Sequence, residues 1–284
     1  MDTSTPPQAA ALERAAGLRE IARPLHRHAL EGVLRRLAVA DLDHAVVLRG
    51  GLLMPLWCAP AWRPTDDLDL LVPDMRRFEP EALRDLTRAL CAHRCDDGVR
   101  FRFADAREKV LWPHSDWPGL RLVVPTEVLG VAEVEVQIDF GYGDPLSPPA
   151  TRLTFPTLWG DDPEVLSCTP ETTLGWKVHG LFEQEDDRWQ QKDLHDLYLL
   201  LRYAELDQEQ LPESLAVAFS SRGESLRVID RLLDGEFGMS RGSRRGWRQL
   251  LRRRGGRDVP ESLPETIDFV VERLRPVVEA ARRL

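Results

Sequence analysis

No stretch of this 284-residue chain approaches the roughly 18 consecutive apolar residues of a membrane-spanning helix, which excludes a helical membrane protein. Cysteine is scarce: Cys58, Cys91, Cys95 and Cys168 are too few and too scattered for a disulfide framework. Cys91 and Cys95 flank His93, but the segment has helical apolar periodicity and no second ligand pair follows. That weighs against a zinc site and favours a buried or half-buried helix face. The first residues (MDTSTPPQAAALERAAGLRE) lack the basic-then-apolar layout of a secretory signal, so the expected setting is the cytoplasm. Internal repeats and low-complexity tracts are missing too. Positive net charge is also absent: 38 Lys and Arg face 47 Asp and Glu, for a net −9.

That average conceals an asymmetry. Residues 241–257 hold eight arginines and no acid, so this segment carries +8 and the remainder about −17 (−9 − 8). A basic patch on an acidic body suits the phosphate backbone of RNA, with Arg244, Arg245, Arg248, Arg252, Arg253 and Arg254 as the contacts. Trp247, inside the patch, is the aromatic on which an exposed base would stack. The competing reading is a solvated helix face paired with acids elsewhere on the surface.

The apolar pattern changes period along the chain. Residues 8–39 read as two helices interrupted near Pro24, after a polar, Pro-bearing tail over 1–7. A short β-type run over 44–49 ends at Gly50-Gly51, and an apolar helix begins at Leu52 until Pro60 stops it. Asp67 to Val72 is a second strand, 80–94 a helix, and 99–112, 119–125 and 132–140 are further strands. After a Pro-rich passage near 150 the pattern is helical, over 171–185, 191–203, 208–219, 224–233, 242–253 and 264–282. The order predicts an α+β fold with a small mixed sheet of four or five strands. Its α/β unit, with the helical lead, spans 1–160, and a helical C-terminal half spans 161–284.

The chemistry gathers in the strands. Val46 to Arg49 runs into two glycines, which lets backbone amides approach an anionic ligand closely, helped by the N–H groups of a following helix. In Asp66-Asp67-Leu68-Asp69, alternation puts Asp67 and Asp69 on one face and leaves Asp66 as the odd one out. Two carboxylates side by side repel unless a cation joins them, and oxygen-only ligation suits Mg²⁺. In Glu133 to Phe140 the acids again share one face, and Asp139 lies at the strand end. If the two strands are neighbours, Asp139 is a third ligand, able also to take the proton of an attacking hydroxyl. Lys177 interrupts an apolar helix, and Arg188 lies eleven residues on, three turns if that helix continues. Such a pair clamps a triphosphate. Asp193 and Asp196 sit one turn apart on the next helix. Lys177, Arg188, Asp193 and Asp196 also read as plain salt bridges between two helices.

Taken in order, these residues resemble the AbiEii/AbiGii-type nucleotidyltransferase toxins of the DNA polymerase β-like superfamily. The likeness is carried by the strand–Gly-Gly opening and by R-x-T-x-D-h-D at Arg63, Thr65, Asp67 and Asp69. Asp139, Glu171 and Lys177 continue it, and K-D-x-x-D-L at Lys192 to Leu197 completes it. The resemblance implies a bilobed fold with the active site between the lobes. There, Asp67, Asp69 and Asp139 would hold Mg²⁺, as a two-metal site, and Lys177 and Asp193 would complete the catalytic set. Arg49, Gly50, Gly51, Arg63, Lys177 and Arg188 would bind the NTP. It also implies transfer of a nucleoside monophosphate to RNA, at the 3′ end of tRNA, by a toxin paired with an antitoxin. The chain departs from the family where Leu52 stands in place of the usual Ser or Thr and Arg49 in place of a frequent Lys. The leucine removes a phosphate-binding hydroxyl and leaves that work to backbone amides and Lys177. Nucleotidylation of a protein or small molecule, and a catalytically degraded nucleotide-binding module, are the alternatives.

Overall fold

The computed structural model describes residues 7–40, 42, 45–61, 63–73, 77–183, 189–254 and 258–284, with side chains from residue 22 onward except that of Arg254. Its described strands form a single mixed sheet of eight. They are β1 (Val47–Arg49), β2 (Asp67–Val72), β3 (Val99–Phe101), β4 (Arg107–Leu111), β5 (Gly119–Val128), β6 (Ala132–Tyr142), β7 (Thr151–Thr154) and β8 (Glu164–Ser167). Their order is β3-β5-β6-β2-β1-β8-β7, with β4 also paired to β5. The run expected as one strand over 99–112 is two, because a 3₁₀ turn at Phe103–Asp105 interrupts it. β7 and β8 exceed the four or five strands expected. At four residues each, inside a Pro-rich passage, they are too short to establish an alternating pattern.

One face of the sheet is apolar across its centre. Leu48, Leu70, Phe140 and Leu120 occupy one cross-strand row, Leu68, Ile138 and Leu122 the next, and all are buried. Helix α1 (Pro7–Val39) packs on β5 and β6 there, and α3 (Pro80–Ala92) lies beside it. α1 is continuous, where two helices were expected. Pro24 costs it a backbone hydrogen bond, but the buried stripe Ala29, Leu30, Val33, Leu34 and Leu37 beyond the proline anchors the helix to the sheet. α3 ends at Ala92, so Cys95 lies past the helix, and all four cysteines are free.

After the last strand come α4 (Pro170–Gly180), α5 (Gln191–Tyr203), α6 (Leu211–Ser220), α7 (Asp230–Leu233), α8 (Arg241–Arg254) and α9 (Leu263–Ala281). Thr169 and Ser262 cap α4 and α9 through their side-chain oxygens, and a proline at the first turn of each fits a position that has no amide to satisfy. α4 stops at Gly180, five residues short of expectation, and the helix expected over 224–233 is a 3₁₀ turn (Leu226–Ile229) followed by the single turn α7.

The apolar residues divide into two clusters. One fills the space between sheet, α1 and α3; the other joins the C-terminal helices around Trp189, Phe219 and Trp247. A short helix from the sheet half, α2 (Met54–Cys58), contributes Met54, Cys58 and nearby Ala61 to the second cluster, and Trp57 touches both. This segment plants the start of the α/β unit in the helical half, and the polar face of the sheet adjoins it.

Candidate active site

Strand register builds the site. β2 runs antiparallel to β1 and parallel to β6, and β6 runs antiparallel to β5. The pairings Arg49↔Asp69, Asp69↔Asp139 and Arg121↔Asp139 therefore set four charged residues in one row: cation, acid, acid, cation. Asp67 points the same way two residues before Asp69. The result is a triangle: Asp67, Asp69 and Asp139 each present an oxygen, and these atoms lie within 4.8 Å of one another. Asp66 is exposed and outside it, as its place in the alternation implied. Glu133 and Glu135 lie further along β6, where they pair with exposed Arg102 and Arg107.

The electrostatics are those of acids crowded together. The carboxyl of Asp69 is pushed up to about 6 by burial and by neighbouring Asp67, Arg49 opposing and Asp139 adding to the rise. Such a group favours a second cation in its neighbourhood, and three convergent carboxylates form a hard, oxygen-only donor set that fits Mg²⁺ or Mn²⁺.

Gly50-Gly51 makes this crowding sterically possible. Gly50 adopts φ +80°, and a Cβ there would lie 2.0 Å from Asp69 Oδ2. A Cβ on Gly51 would lie 2.7 Å from the hydroxyl of Thr65, which donates to Asp67 Oδ1 at 2.5 Å. The glycines thus admit Asp69 and Thr65 to the turn. After them the chain makes a 3₁₀ turn (Gly50–Leu52) and then α2, which is five residues long, so the phosphate-facing helix N-terminus expected here does not form. Leu52 is fully buried in the sheet core and turned away from the polar face.

The helical half supplies a second layer. Lys177 donates to Asp193 at 2.6 Å and lies 2.9 Å from Asp196. Asp196 has no exposed surface and accepts a bidentate pair from Arg63 at 2.8 and 2.7 Å. Burial acts against ionisation of Asp196, but Lys177 and Arg63 outweigh it and hold the carboxyl well below its ordinary range. Arg63 was expected to bind nucleotide; the structure buries it against Asp196, where it ties the approach to β2 onto α5. Glu171 likewise accepts the Asp207 amide and is buried. Arg188, expected to bind nucleotide, lies outside the described residues.

Asp144, Arg222 and Arg121 carried no signal in the sequence, and the structure joins them to Arg49 and to the acids. Arg49 donates to Asp144 at 2.6 Å, and Asp144 also accepts from Arg222, whose guanidinium lies 4.3 Å from the ring centre of Trp117 and 5.2 Å from that of Trp176. Asp144 thus joins Arg49, at the edge of the acid triangle, to the turn after α6. Arg121 forks onto both oxygens of Asp139 at 2.7 and 2.6 Å. Lys192 is exposed, and its charge reaches Asp69, where it favours the ionised carboxylate. The chain has only three lysines, Lys109, Lys177 and Lys192, so in this arginine-rich sequence two of the three stand at the site.

On α8 the arginines 241, 244, 245, 248, 252 and 253 are exposed, and a groove is lined by Arg245, Arg248, Gln249 and Arg252. Trp247, expected as a stacking platform, is instead fully buried, its indole N–H donating to the Pro260 carbonyl at 3.1 Å. It is the apolar anchor that turns the basic face outward.

The family model for the nucleotidyl transferase AbiEii toxin, type IV toxin–antitoxin system, matches residues 32–273, which contain every group described above. No curated protein matches the chain.

Proposed function

The chain belongs to the AbiEii nucleotidyl transferase toxin family, and from that premise we propose that it moves a nucleoside monophosphate from an NTP to a hydroxyl of RNA, at the 3′ end of tRNA, as the toxin of a pair with an antitoxin. The observation that carries this reading is the convergence of Asp67, Asp69 and Asp139 within 4.8 Å on one face of the sheet. These three residues would hold a divalent cation, Mg²⁺ above all, which when bound supplies positive charge for the phosphate oxygens of the transition state.

The remaining tasks fall to the chain itself. Asp139, at the edge of the triangle, takes the proton of the attacking hydroxyl. Lys192, exposed and near enough for its charge to act on Asp69, meets the triphosphate, and Arg49 adds charge at the Gly50-Gly51 turn. Lys177 reaches the same space from α4 while Asp193 holds its ammonium in place. The buried Arg63–Asp196 pair acts on position only: it fixes α5, and so Lys192 and Asp193, against the strand that bears the acids. The unit over 1–160 and the helical half over 161–284 would then each supply part of one cleft. Leu52 withdraws a hydroxyl from phosphate binding, and the cations make good its loss.

The exposed face of α8 supports RNA as acceptor. None of the described side chains at Arg244, Arg245, Arg248, Arg252 and Arg253 is engaged by an acid among the described residues, so the pairing that would neutralise a merely solvated face is lacking there. Reversing Arg245, Arg248 and Arg252 to Glu weakens RNA binding and lowers the magnitude of its log–log salt slope by about 2, at roughly 0.7 per single-strand phosphate contact.

The decisive assay incubates the protein with α-labelled NTPs, Mg²⁺ and total RNA, followed by candidate proteins. Label on RNA is expected, with a loss of about 10²- to 10³-fold in Asp69→Asn, the scale set by removing one transition-state electrostatic group. Label on protein alone would transfer the reading to a different acceptor. Near-normal transfer by folded Asp69→Asn would defeat it.

A further inference from the structure

Among the described residues, Arg121 is the cation hydrogen-bonded directly to the acid triangle. It comes from β5, opposite Asp139 in the cross-strand register, and its fork takes both carboxylate oxygens at 2.7 and 2.6 Å. Gln137, with its amide oxygen turned to the guanidinium at 3.2 and 3.1 Å, steadies the fork from the same strand as Asp139. Two features separate this pair from the other bidentate pair of the site. The Arg63–Asp196 pair is sealed, with 5% and 0% of its side chains exposed, so neither partner can exchange. At Arg121 a third of the side chain is exposed, and Asp139 keeps 13%. A fork that faces water is held weakly enough to be traded for another anion.

We infer that Arg121 is the resident counter-cation of this centre: it competes with the divalent metal for Asp139 and passes to an incoming polyphosphate when the metal takes its place. The inference rests on the metal-binding reading of Asp67, Asp69 and Asp139 given above. Its physical basis is that one carboxylate cannot fully satisfy a guanidinium fork and a divalent ion a few ångströms apart, since the two cations repel. A polyphosphate offers the fork an equivalent planar edge of oxygens, which guanidinium matches in a bidentate way. Metal and nucleotide would then assist each other's binding through one side chain. A neighbouring arginine lowers the affinity of a carboxylate for a proton by about tenfold to a thousandfold, and the lower end of that range is the effect expected for a metal.

The test uses the full-length protein and needs no turnover. Free Mn²⁺ is titrated by electron paramagnetic resonance, without nucleotide, for wild type, Arg121→Gln, Arg121→Lys and Asp69→Asn, with thermal melts to confirm folding. Arg121→Gln binds Mn²⁺ about tenfold more tightly than wild type. Arg121→Lys, which keeps the charge but cannot fork, also binds more tightly than wild type. With Mn²⁺ saturating the site, inorganic tripolyphosphate binds wild type about tenfold more tightly than Arg121→Gln. If Arg121→Lys matches wild type while Arg121→Gln tightens, only general charge is at work and the exchange is overturned. Unchanged Mn²⁺ affinity in both variants, or unchanged tripolyphosphate affinity, overturns it as well. These outcomes concern Arg121 alone so long as wild type binds Mn²⁺ and Asp69→Asn does not. If no variant and no wild-type protein binds Mn²⁺, the metal-binding reading falls, and this inference with it.

Discussion

Asp69→Asn is the substitution whose thermodynamic consequence can be worked most directly. Asp69 is half-buried, no described residue donates a hydrogen bond to it, and its carboxyl is raised from 3.8 to about 6 by burial and by Asp67. A carboxyl whose folded-state pKa exceeds its unfolded value holds its proton longer in the folded protein. Its penalty is therefore absent below about pH 4, grows between about 4 and 6, and is complete above 6. About two pK units at about 1.4 kcal/mol each give nearly 3 kcal/mol; with some screening at a group that keeps part of its surface in water, about 2 kcal/mol is expected. Asparagine keeps the shape and removes the charge. In EDTA at pH 8, Asp69→Asn is thus more stable than wild type by about 2 kcal/mol, or about 5 °C in Tm at the 2–4 °C per kcal/mol of larger domains. At pH 4 the two converge. Mg²⁺ at a hundred times its Kd restores about 2.7 kcal/mol to wild type and little to the variant. Differential scanning calorimetry at both pH values, with and without Mg²⁺, measures all of this. A variant less stable than wild type by the same amount at pH 4 and pH 8, or stabilised by Mg²⁺ as strongly as wild type, refutes the crowded-acid account.

Two other substitutions test the second layer of the site. Arg63→Ala leaves Asp196 buried with Lys177 as its remaining cation, and costs about 3–5 kcal/mol in urea denaturation, the loss expected for one half of a buried pair. A loss within 1 kcal/mol would mean that water or Lys177 suffices. Lys192→Ala, at an exposed position, leaves the urea midpoint within error but raises the KM for NTP about tenfold, the scale of one charged hydrogen bond. Lys192→Arg recovers most of the affinity, and an unchanged KM in the alanine variant would remove Lys192 from the phosphate site.

The acids were readable from sequence because a strand has a period of two. Asp67 and Asp69 had to share a face, Asp139 had to share one with Gln137, and the apolar Leu68 and Ile138 between them fixed which face was which. The glycines were equally visible, although for another reason than the one that matters: they admit Asp69 and Thr65, where a phosphate was expected. Trp247 misled because an aromatic among arginines reads the same whether it faces in or out. The helical stripe that settles the matter depends on what α8 packs against.

Composition, periodicity and the order of motifs determined, by themselves, an α+β chain with acids on one strand face and a helical second half. These are local properties, set by alternation and by glycine and proline at the turns. Only the tertiary structure decided which charges meet. That Asp139 stands beside Asp69 follows from the parallel register of β2 and β6, strands more than sixty residues apart in the chain. That Arg121 forks onto Asp139, that Arg63 is sealed against Asp196, and that the exposed Lys192 brings its charge to Asp69 follow likewise from register and from packing between distant segments. A charged side chain carries the same label in sequence whether it is buried against a partner or open to a ligand, and burial and pairing exist only once the chain has folded.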